Sequence, residues 1–453
     1  MYIDDIRADT ELLDVARLFF DDDVPVISLE ENGKVFTVNA CGIAYKYNYS
    51  DDLYAAIPNI RQSARLKKIA LYDALKEATG KIMPWGALTG VRPSKLFYEL
   101  LRNGKSTTEA TQALIDIYRV REDRACILRR IEYAQRGKVN FPDNYINLYI
   151  HVPYCTTRCS YCSFVSEPVC KNAERVQKYV ELLCREIKYS IDAIQKSSKR
   201  ILSVYIGGGT PTSLSGHQLD SVLGAIGRFD GEYTCEAGRP DTINDTNCDI
   251  LKSHGVNRVC VNPQTLSDRT LGMIGRSHTA EEFFRAYEIV DKRGFDINCD
   301  LIAGLGDENV DDFAKSFEGV KSLSPENITV HSLSKKNGSG IRYISGENAS
   351  AADMVEYALS SLGKYRPYYL YRQKRQACNL ENIGFSLKGK ECVNNITTME
   401  ETVGVMACGA GAISKFMNGG KINRHANLRD VKLYIENFDE RLKLKLDNFL
   451  SCE

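Results

Sequence analysis

The chain has 453 residues, 43 % of them hydrophobic, with 59 basic and 59 acidic side chains and a formal net charge of zero. That length exceeds one ordinary domain and predicts two or three. The charge balance excludes a general attraction to nucleic acid or to an anionic membrane, so an acidic ligand has to be gripped by local cations.

No apolar run approaches the roughly 18 residues of a membrane span. The acidic start MYIDDIRADT lacks the apolar core of a signal peptide. Fifteen cysteines, an odd number, read as the reduced thiols of a cytoplasmic protein.

Residues 1–138 are expected to form an accessory α+β domain. Leu12 to Phe20 has helical periodicity, Val24 to Leu29 and Lys34 to Val38 read as short strands, and Asp21-Asp22-Asp23 is the turn between helix and strand. Helical stretches follow near 64–79, 94–103, 107–119 and 122–135. PWGALTGVRPSK, residues 84–95, holds the only Trp and reads as a structured connection.

From residue 139 the pattern becomes strand and helix in alternation. Candidate strands are Ile146 to Val152, Leu202 to Ile206, Glu232 to Ala237, Arg258 to Val261, Ile297 to Ala303 and Ile328 to Leu333. Amphipathic helices fill the gaps, near 171–194, 217–228, 246–254, 280–293, 309–323 and 351–364. Right-handed crossovers between such strands make a parallel sheet, and six units suffice for a partial TIM-like barrel over 139–365. Chemistry then belongs at the C-terminal ends of the strands. Residues 366–453 read as a small mixed cap finishing in a charged helix, Leu428 to Leu450.

The first barrel strand runs into Cys155, Cys159 and Cys162, spaced CxxxCxxC. Three thiolates on one short loop can hold three irons of a 4Fe-4S cluster and leave the fourth open for S-adenosylmethionine (SAM). No fourth Cys lies at a similar interval. On spacing alone, zinc held by the three cysteines with or without His151, or thiols without metal, remain open. The second strand ends in Gly207-Gly208-Gly209-Thr210-Pro211-Thr212, where glycines let backbone groups approach a ligand closely. Glu236, ending the third strand, can accept hydrogen bonds from an ammonium or a ribose. Arg276 offers a planar fork suited to a carboxylate. Asp300, inside the apolar strand INCDLIAGL, needs a ligand or partner to satisfy it.

CxxxCxYC after a strand, followed by GGGTPT at the end of a second, resembles the radical SAM superfamily, and within it the oxygen-independent coproporphyrinogen III oxidase branch. PWGALTGVRPSK, PYYLYRQK (367–374), NLENIGF (379–385) and GAGAISK (409–415) are similar to its HemZ type, so the resemblance spans nearly the whole chain. It implies a 4Fe-4S cluster on Cys155, Cys159 and Cys162. It implies SAM contacts from Tyr149, Tyr161, Gly208, Gly209, Thr210, Glu236, Gln264, Arg276 and Asp300, with Tyr161 on adenine and Asp300 on the ribose. Tyr149 and His151 are implied at the reacting centre. Two departures from the family pattern stand out: Phe164 replaces a further Cys, and Gly238-Arg239 replaces an Asn-Pro turn.

The implied activity is oxidative decarboxylation of coproporphyrinogen III propionates to vinyl groups, giving protoporphyrinogen IX. The implied partners are a tetrapyrrole and a low-potential electron donor such as flavodoxin or ferredoxin, with the chain a monomer. Arg366, Arg372, Lys374 and Arg375, around Tyr368, Tyr369 and Tyr371, are candidates for gripping the substrate carboxylates. The same resemblance also admits a haem-binding chaperone or another tetrapyrrole-acting radical SAM enzyme.

Overall fold

The computed structural model describes residues 2–51, 57, 61–90, 92–163, 166–334, 349–373 and 380–452. Phe164, Lys374 and Arg375 lie outside them. The chain divides into two compact units, one of residues 1–133 with 370–381 and one of residues 134–369 with 382–453. No helix among the described residues is long and apolar enough to cross a membrane.

The first unit carries an antiparallel sheet in the order β1 (Tyr2–Ile3), β2 (Ser28–Asn32), β3 (Val35–Ala40), β4 (Ile43–Asn48). Strand β4 escaped the sequence reading because its hairpin turns on Cys41-Gly42 rather than on Asn-Gly. Both residues have positive φ, 52° and 78°, the pairing a two-residue hairpin with right-handed strand twist requires. Helix α1 (Thr10–Phe20) packs on α2 (Gln62–Thr79), which lies against the sheet, and α3 (Pro93–Arg102), α4 (Thr107–Asp116) and α5 (Glu122–Gln135) follow.

PWGAL is a buried connection, as expected. Trp85 is 1 % exposed and donates its indole N–H to Glu381 at 2.8 Å, and Glu381 also pairs with the buried Arg124 at 2.9 Å. Only glycine fits at 86: its φ is 53°, and a Cβ would stand 2.3 Å from the backbone of Tyr118 and Arg119. Arg372 is part of this packing. It lies 5.9 Å over the Trp85 ring and donates to the Leu88 carbonyl. The expected substrate grip therefore loses Arg372, because a guanidinium spent on an indole face and a carbonyl is not offered to a ligand. Tyr368 and Tyr369 are likewise buried, whereas Arg366 is exposed.

The second unit is built on β5 (Tyr145–Val152), β6 (Arg200–Gly208), β7 (Glu232–Cys235), β8 (Arg258–Cys260), β9 (Asp296–Ala303) and β10 (Asn327–Ser332), each parallel to the next. The intervening helices are α6 (Ala173–Lys196), α7 (Gly216–Ile226), α8 (Asp245–Ser253), α9 (Asp268–Met273), α10 (Ala280–Asp291) and α11 (Val310–Ser322), with α12 (Ala349–Ser360) after β10. Capping boxes at Ser215/Gln218, Thr279/Glu282 and Asn309/Asp312 fix where three of them start. This is the expected parallel run of six strand–helix units.

Residues 366–453, expected as a separate cap, instead supply five strands at the two edges of that sheet. In the sheet order β11 (Arg366–Tyr371) flanks β12 (Asn382–Ser386), which pairs antiparallel with β10. After α13 (Val393–Glu400), strand β13 (Gly404–Cys408) joins β5 in parallel, followed by the hairpin β14 (Ile413–Asn418) and β15 (Lys421–Ala426). The expected helix Leu428 to Leu450 is two, α14 (Val431–Glu436) and α15 (Phe438–Leu450), broken at Asn437. The break lets Tyr434 and Lys445 both reach one buried carboxylate, Glu186.

Helix α13 closes the N-terminal end of the barrel. Glu232 accepts the Val393 and Asn394 N–H groups at 2.8 and 2.7 Å, a carboxylate on a helix N-terminus. Asn394 bonds Ser203, Ser203 bonds Asn147, and Asn147 bonds Thr397, each within 2.9 Å. Chemistry is left to the opposite, C-terminal end.

Candidate active site

At the C-terminal ends of β5 and β6 the cysteine loop and the glycine turn interlock. Gly209 N–H donates to Val152 O at 2.7 Å and Thr210 N–H to Tyr154 O at 2.6 Å, and the Thr210 hydroxyl lies 3.5 Å from Cys155 Sγ. A Cβ on Gly209 would stand 2.3 Å from Tyr154 O, and one on Gly208, whose φ is 106°, 2.7 Å from the His151 ring. Gly209→Ala is therefore expected to push the cysteine loop off the barrel. Iron retained per chain after anaerobic reconstitution, measured chemically, should fall by roughly half or more.

The far side of the loop is braced by the segment before α10. Ser160 N–H donates to Ile274 O at 3.0 Å and the Thr157 hydroxyl to Gly275 O at 3.2 Å. Arg276 donates to Asn262 O at 2.6 Å, to Gly238 O at 3.3 Å and to the Tyr161 hydroxyl at 3.2 and 3.3 Å. In this arrangement Arg276 positions Tyr161, whose ring packs on Leu271, Ile274, Ile302, Leu305 and Leu333, an apolar wall at the mouth.

Residues two apart on successive strands point into the barrel. Tyr149 stacks on Tyr205, with ring centroids 6.2 Å apart, and its hydroxyl lies 3.2 Å from His151 Nδ1. His151 Nε2 is buried without a partner, and burial pushes the imidazole down to about 4, so it is neutral at physiological pH. Glu236 stands over Gly207, where an added Cβ would be 2.6 Å from its Oε2. Burial, and then the Asp300 charge, push its carboxyl up to about 8, against the pull of the Gly208 N–H. Asp300 goes the other way. Burial alone would raise it, but His331 at 3.6 Å and Asn298 at 2.8 Å outweigh burial and hold it below the usual range.

Gln264 has φ 67°, an unusual conformation for a residue with a side chain. It bonds Asp300 O through its N–H and Ile302 N through its carbonyl, and its side-chain Oε1 is buried without a partner. Strain plus an orphaned acceptor at a strand end marks a position shaped for a ligand.

The cysteine loop, the glycine turn, Tyr149, His151, Tyr161, Glu236, Gln264, Arg276 and Asp300 thus lie along the C-terminal ends of β5 to β9, whereas the expected substrate grip around Arg366 and Arg372 is not among them. Among the described residues no three Cys, His, Asp or Glu side chains are already gathered as a metal site. The donor chemistry nonetheless fits a cluster: three thiols on one loop, a hydroxyl beside Cys155, and a guanidinium nitrogen 3.6 Å from Cys159 Sγ. That nitrogen belongs to Arg239, which stands out in the sequence only as a departure from the family pattern. The usable signal was Arg239-Pro240-Asp241, a cation and an anion two residues apart at a strand end.

The Radical SAM superfamily profile matches residues 149–319. The chain is 36 % identical over 396 residues to the oxygen-independent coproporphyrinogen-III oxidase-like protein HemZ of Bacillus subtilis, covering 82 % of this chain and 79 % of that one. It is 30 % identical over 307 residues to the haem chaperone HemW of Lactococcus lactis, covering 64 % and 73 %. The solved structure of coproporphyrinogen III oxidase (HemN) from Escherichia coli superposes with a TM-score of 0.55 at 20 % identity, over 68 % of this chain and 72 % of that one, a likeness of fold. The metal-free and zinc readings give way, since radical SAM proteins use a 4Fe-4S cluster and SAM. The chain belongs to the radical SAM superfamily and, within it, to the family of the oxygen-independent coproporphyrinogen III oxidase-like protein HemZ.

Proposed function

We propose that this protein decarboxylates coproporphyrinogen III oxidatively, converting two propionates to vinyl groups and yielding protoporphyrinogen IX without oxygen. One observation carries the reading: the cysteine loop, the glycine turn, two carboxylates of opposite protonation and a neutral His–Tyr pair share one barrel mouth, in a chain aligned over 82 % of its length with the Bacillus protein. When bound, the cluster and SAM supply a 5'-deoxyadenosyl radical able to take hydrogen from a propionate β-carbon.

The chain's own groups bind and orient. Cys155, Cys159 and Cys162 hold the cluster. The Gly208-Gly209-Thr210 turn, Glu236, Gln264 and Asp300 take the polar parts of SAM, and Arg276 and Tyr161 form the wall beside it. Tyr149 and His151 face the tetrapyrrole, and the imidazole, being neutral, makes hydrogen bonds there without adding a charge. A low-potential flavodoxin or ferredoxin supplies electrons, and the protein works as a cytoplasmic monomer.

The test is anaerobic incubation of the reconstituted protein with SAM, a low-potential reductant, an electron acceptor and coproporphyrinogen III, followed by mass spectrometry. Stepwise loss of two carboxyl groups with formation of 5'-deoxyadenosine is expected, and Cys159→Ala should abolish both. The similarity to the haem chaperone of Lactococcus, together with the unpartnered His151 Nε2, favours a second reading in which the protein binds haem. Unchanged porphyrinogen, with haem retained through gel filtration and lost in His151→Ala, would decide for it.

A further inference from the structure

We propose that Arg239 is a positioning residue that fixes Cys159 on its loop and, through an N–H···S hydrogen bond, raises the reduction potential of the cluster held there. The inference rests on the assignment of Cys155, Cys159 and Cys162 as cluster ligands.

Arg239 follows the end of β7 and is 3 % exposed. Its fork is used in two directions. Nε and Nη2 hold both oxygens of Asp241, at 2.9 and 3.1 Å. Nη1 faces the loop, 3.3 Å from Thr157 O and 3.6 Å from Cys159 Sγ. Asp241 in turn accepts the Thr156 hydroxyl at 2.9 Å. Thr156, Thr157 and Cys159 are thus tied to one planar group, an arrangement the point charge of a lysine cannot reproduce.

The electrostatic consequence follows from burial. One-electron reduction adds one negative charge to the cluster and its thiolates, the electron coming from an external low-potential one-electron donor and no proton being needed. A donor hydrogen bond to a ligating sulfur stabilises the more negative state, and potentials in this class are set by charge, hydrogen bonds to sulfur and solvent exposure. Asp241 cancels much of the guanidinium charge at a distance, so the directed N–H···S bond is the larger influence, strengthened by its dry surroundings.

The experiment is a redox titration of the reconstituted full chain, following the EPR signal of the reduced cluster, for wild type, Arg239→Met and Arg239→Lys. At a fixed poise, the ratio of reduced to oxidised cluster in Arg239→Met is expected to fall about tenfold, equivalent to about 59 mV for one electron. Arg239→Lys should fall between it and wild type. A purely structural arginine would lower iron content while the clusters retained still titrated at the wild-type potential, and that result overturns the proposal. If Arg239→Met retains no cluster, Arg239→Lys decides alone: an unshifted potential overturns the proposal. A wild-type chain that takes up no cluster would overturn the ligand assignment itself, which separates the two failures.

Discussion

Lys445→Ala is expected to destabilise the barrel unit by about 3–5 kcal/mol, measured by chemical denaturation at neutral pH, because it strands a buried carboxylate. Lys445 is fully buried and Glu186 is 2 % exposed, with Nζ and Oε1 2.6 Å apart. Glu186 also accepts the Gly409 N–H at 2.7 Å, the Tyr434 hydroxyl at 2.6 Å and the Asn427 amide at 2.8 Å. Lys445 further donates to Ser190 at 3.0 Å and Ala407 O at 3.2 Å. One ion pair therefore ties α6, β13, α14 and α15 together.

A double variant, Lys445→Met with Glu186→Gln, should recover part of the loss, since it removes the unpaired charge while the amide oxygen can still accept from the groups that bond Glu186. A single-variant loss below about 1 kcal/mol would mean that Glu186 is hydrated or protonated. Burial would raise the Glu186 carboxyl, but Lys445 and its other donors outweigh burial and hold it low. Burial would lower Lys445, but Cys408 and Glu186 hold it high. The Glu186 contribution is complete above the unfolded carboxyl range, about pH 4.3, and is lost as pH falls through its depressed folded value. The Lys445 contribution is complete below about pH 10.4 and is lost as pH rises through its elevated folded value. Stability from the pair should be flat between. The network reaches the mouth as well, since Ala410 N–H bonds the Tyr179 hydroxyl, which donates to His151 O at 2.8 Å.

What the sequence made legible follows from how local its signals are. Six strand–helix units could be read because each strand is a short apolar run and each helix carries its own periodicity, so the barrel needed no long-range information. The three cysteines and the glycine turn stand out by spacing and by position after two strands, but spacing left zinc and metal-free thiols open, and only the likeness to the superfamily pointed to a cluster. Strand β13 was not, since GVMAC is five buried residues with no alternation, followed by a glycine-rich turn, and only pairing with β5, more than 250 residues earlier, makes it a strand. The role of Arg239 was hidden for the same reason, being created where the end of β7 meets a loop 80 residues upstream. Gln264 carries its signal in a backbone angle that no residue type announces.

The second large effect expected concerns Glu236 and separates ligand binding from folding. Its carboxyl, raised to about 8 by burial and by Asp300, is protonated in the empty site at neutral pH. A carboxyl protonated in the folded state and ionised in the unfolded one loses stability as pH rises from about 4.3 to about 8, because the native state then binds more protons. Glu236→Gln removes that dependence and should make the ligand-free protein more stable at pH 8 by about 2 kcal/mol, allowing for the partial exposure of the group.

Binding should respond in the opposite sense. If the ammonium of SAM meets Glu236, only the ionised form serves, and each unit of pH below 8 removes about tenfold of it. Affinity of the cluster-loaded wild type for SAM, measured anaerobically by calorimetry, should rise about tenfold per unit between pH 6 and 8. Glu236→Gln should bind more weakly at pH 8 and show no such slope. A wild-type affinity that is level across this range would place the ligand cation elsewhere, with Asp300, ionised throughout by its contacts to His331 and Asn298, as the carboxylate left to receive it.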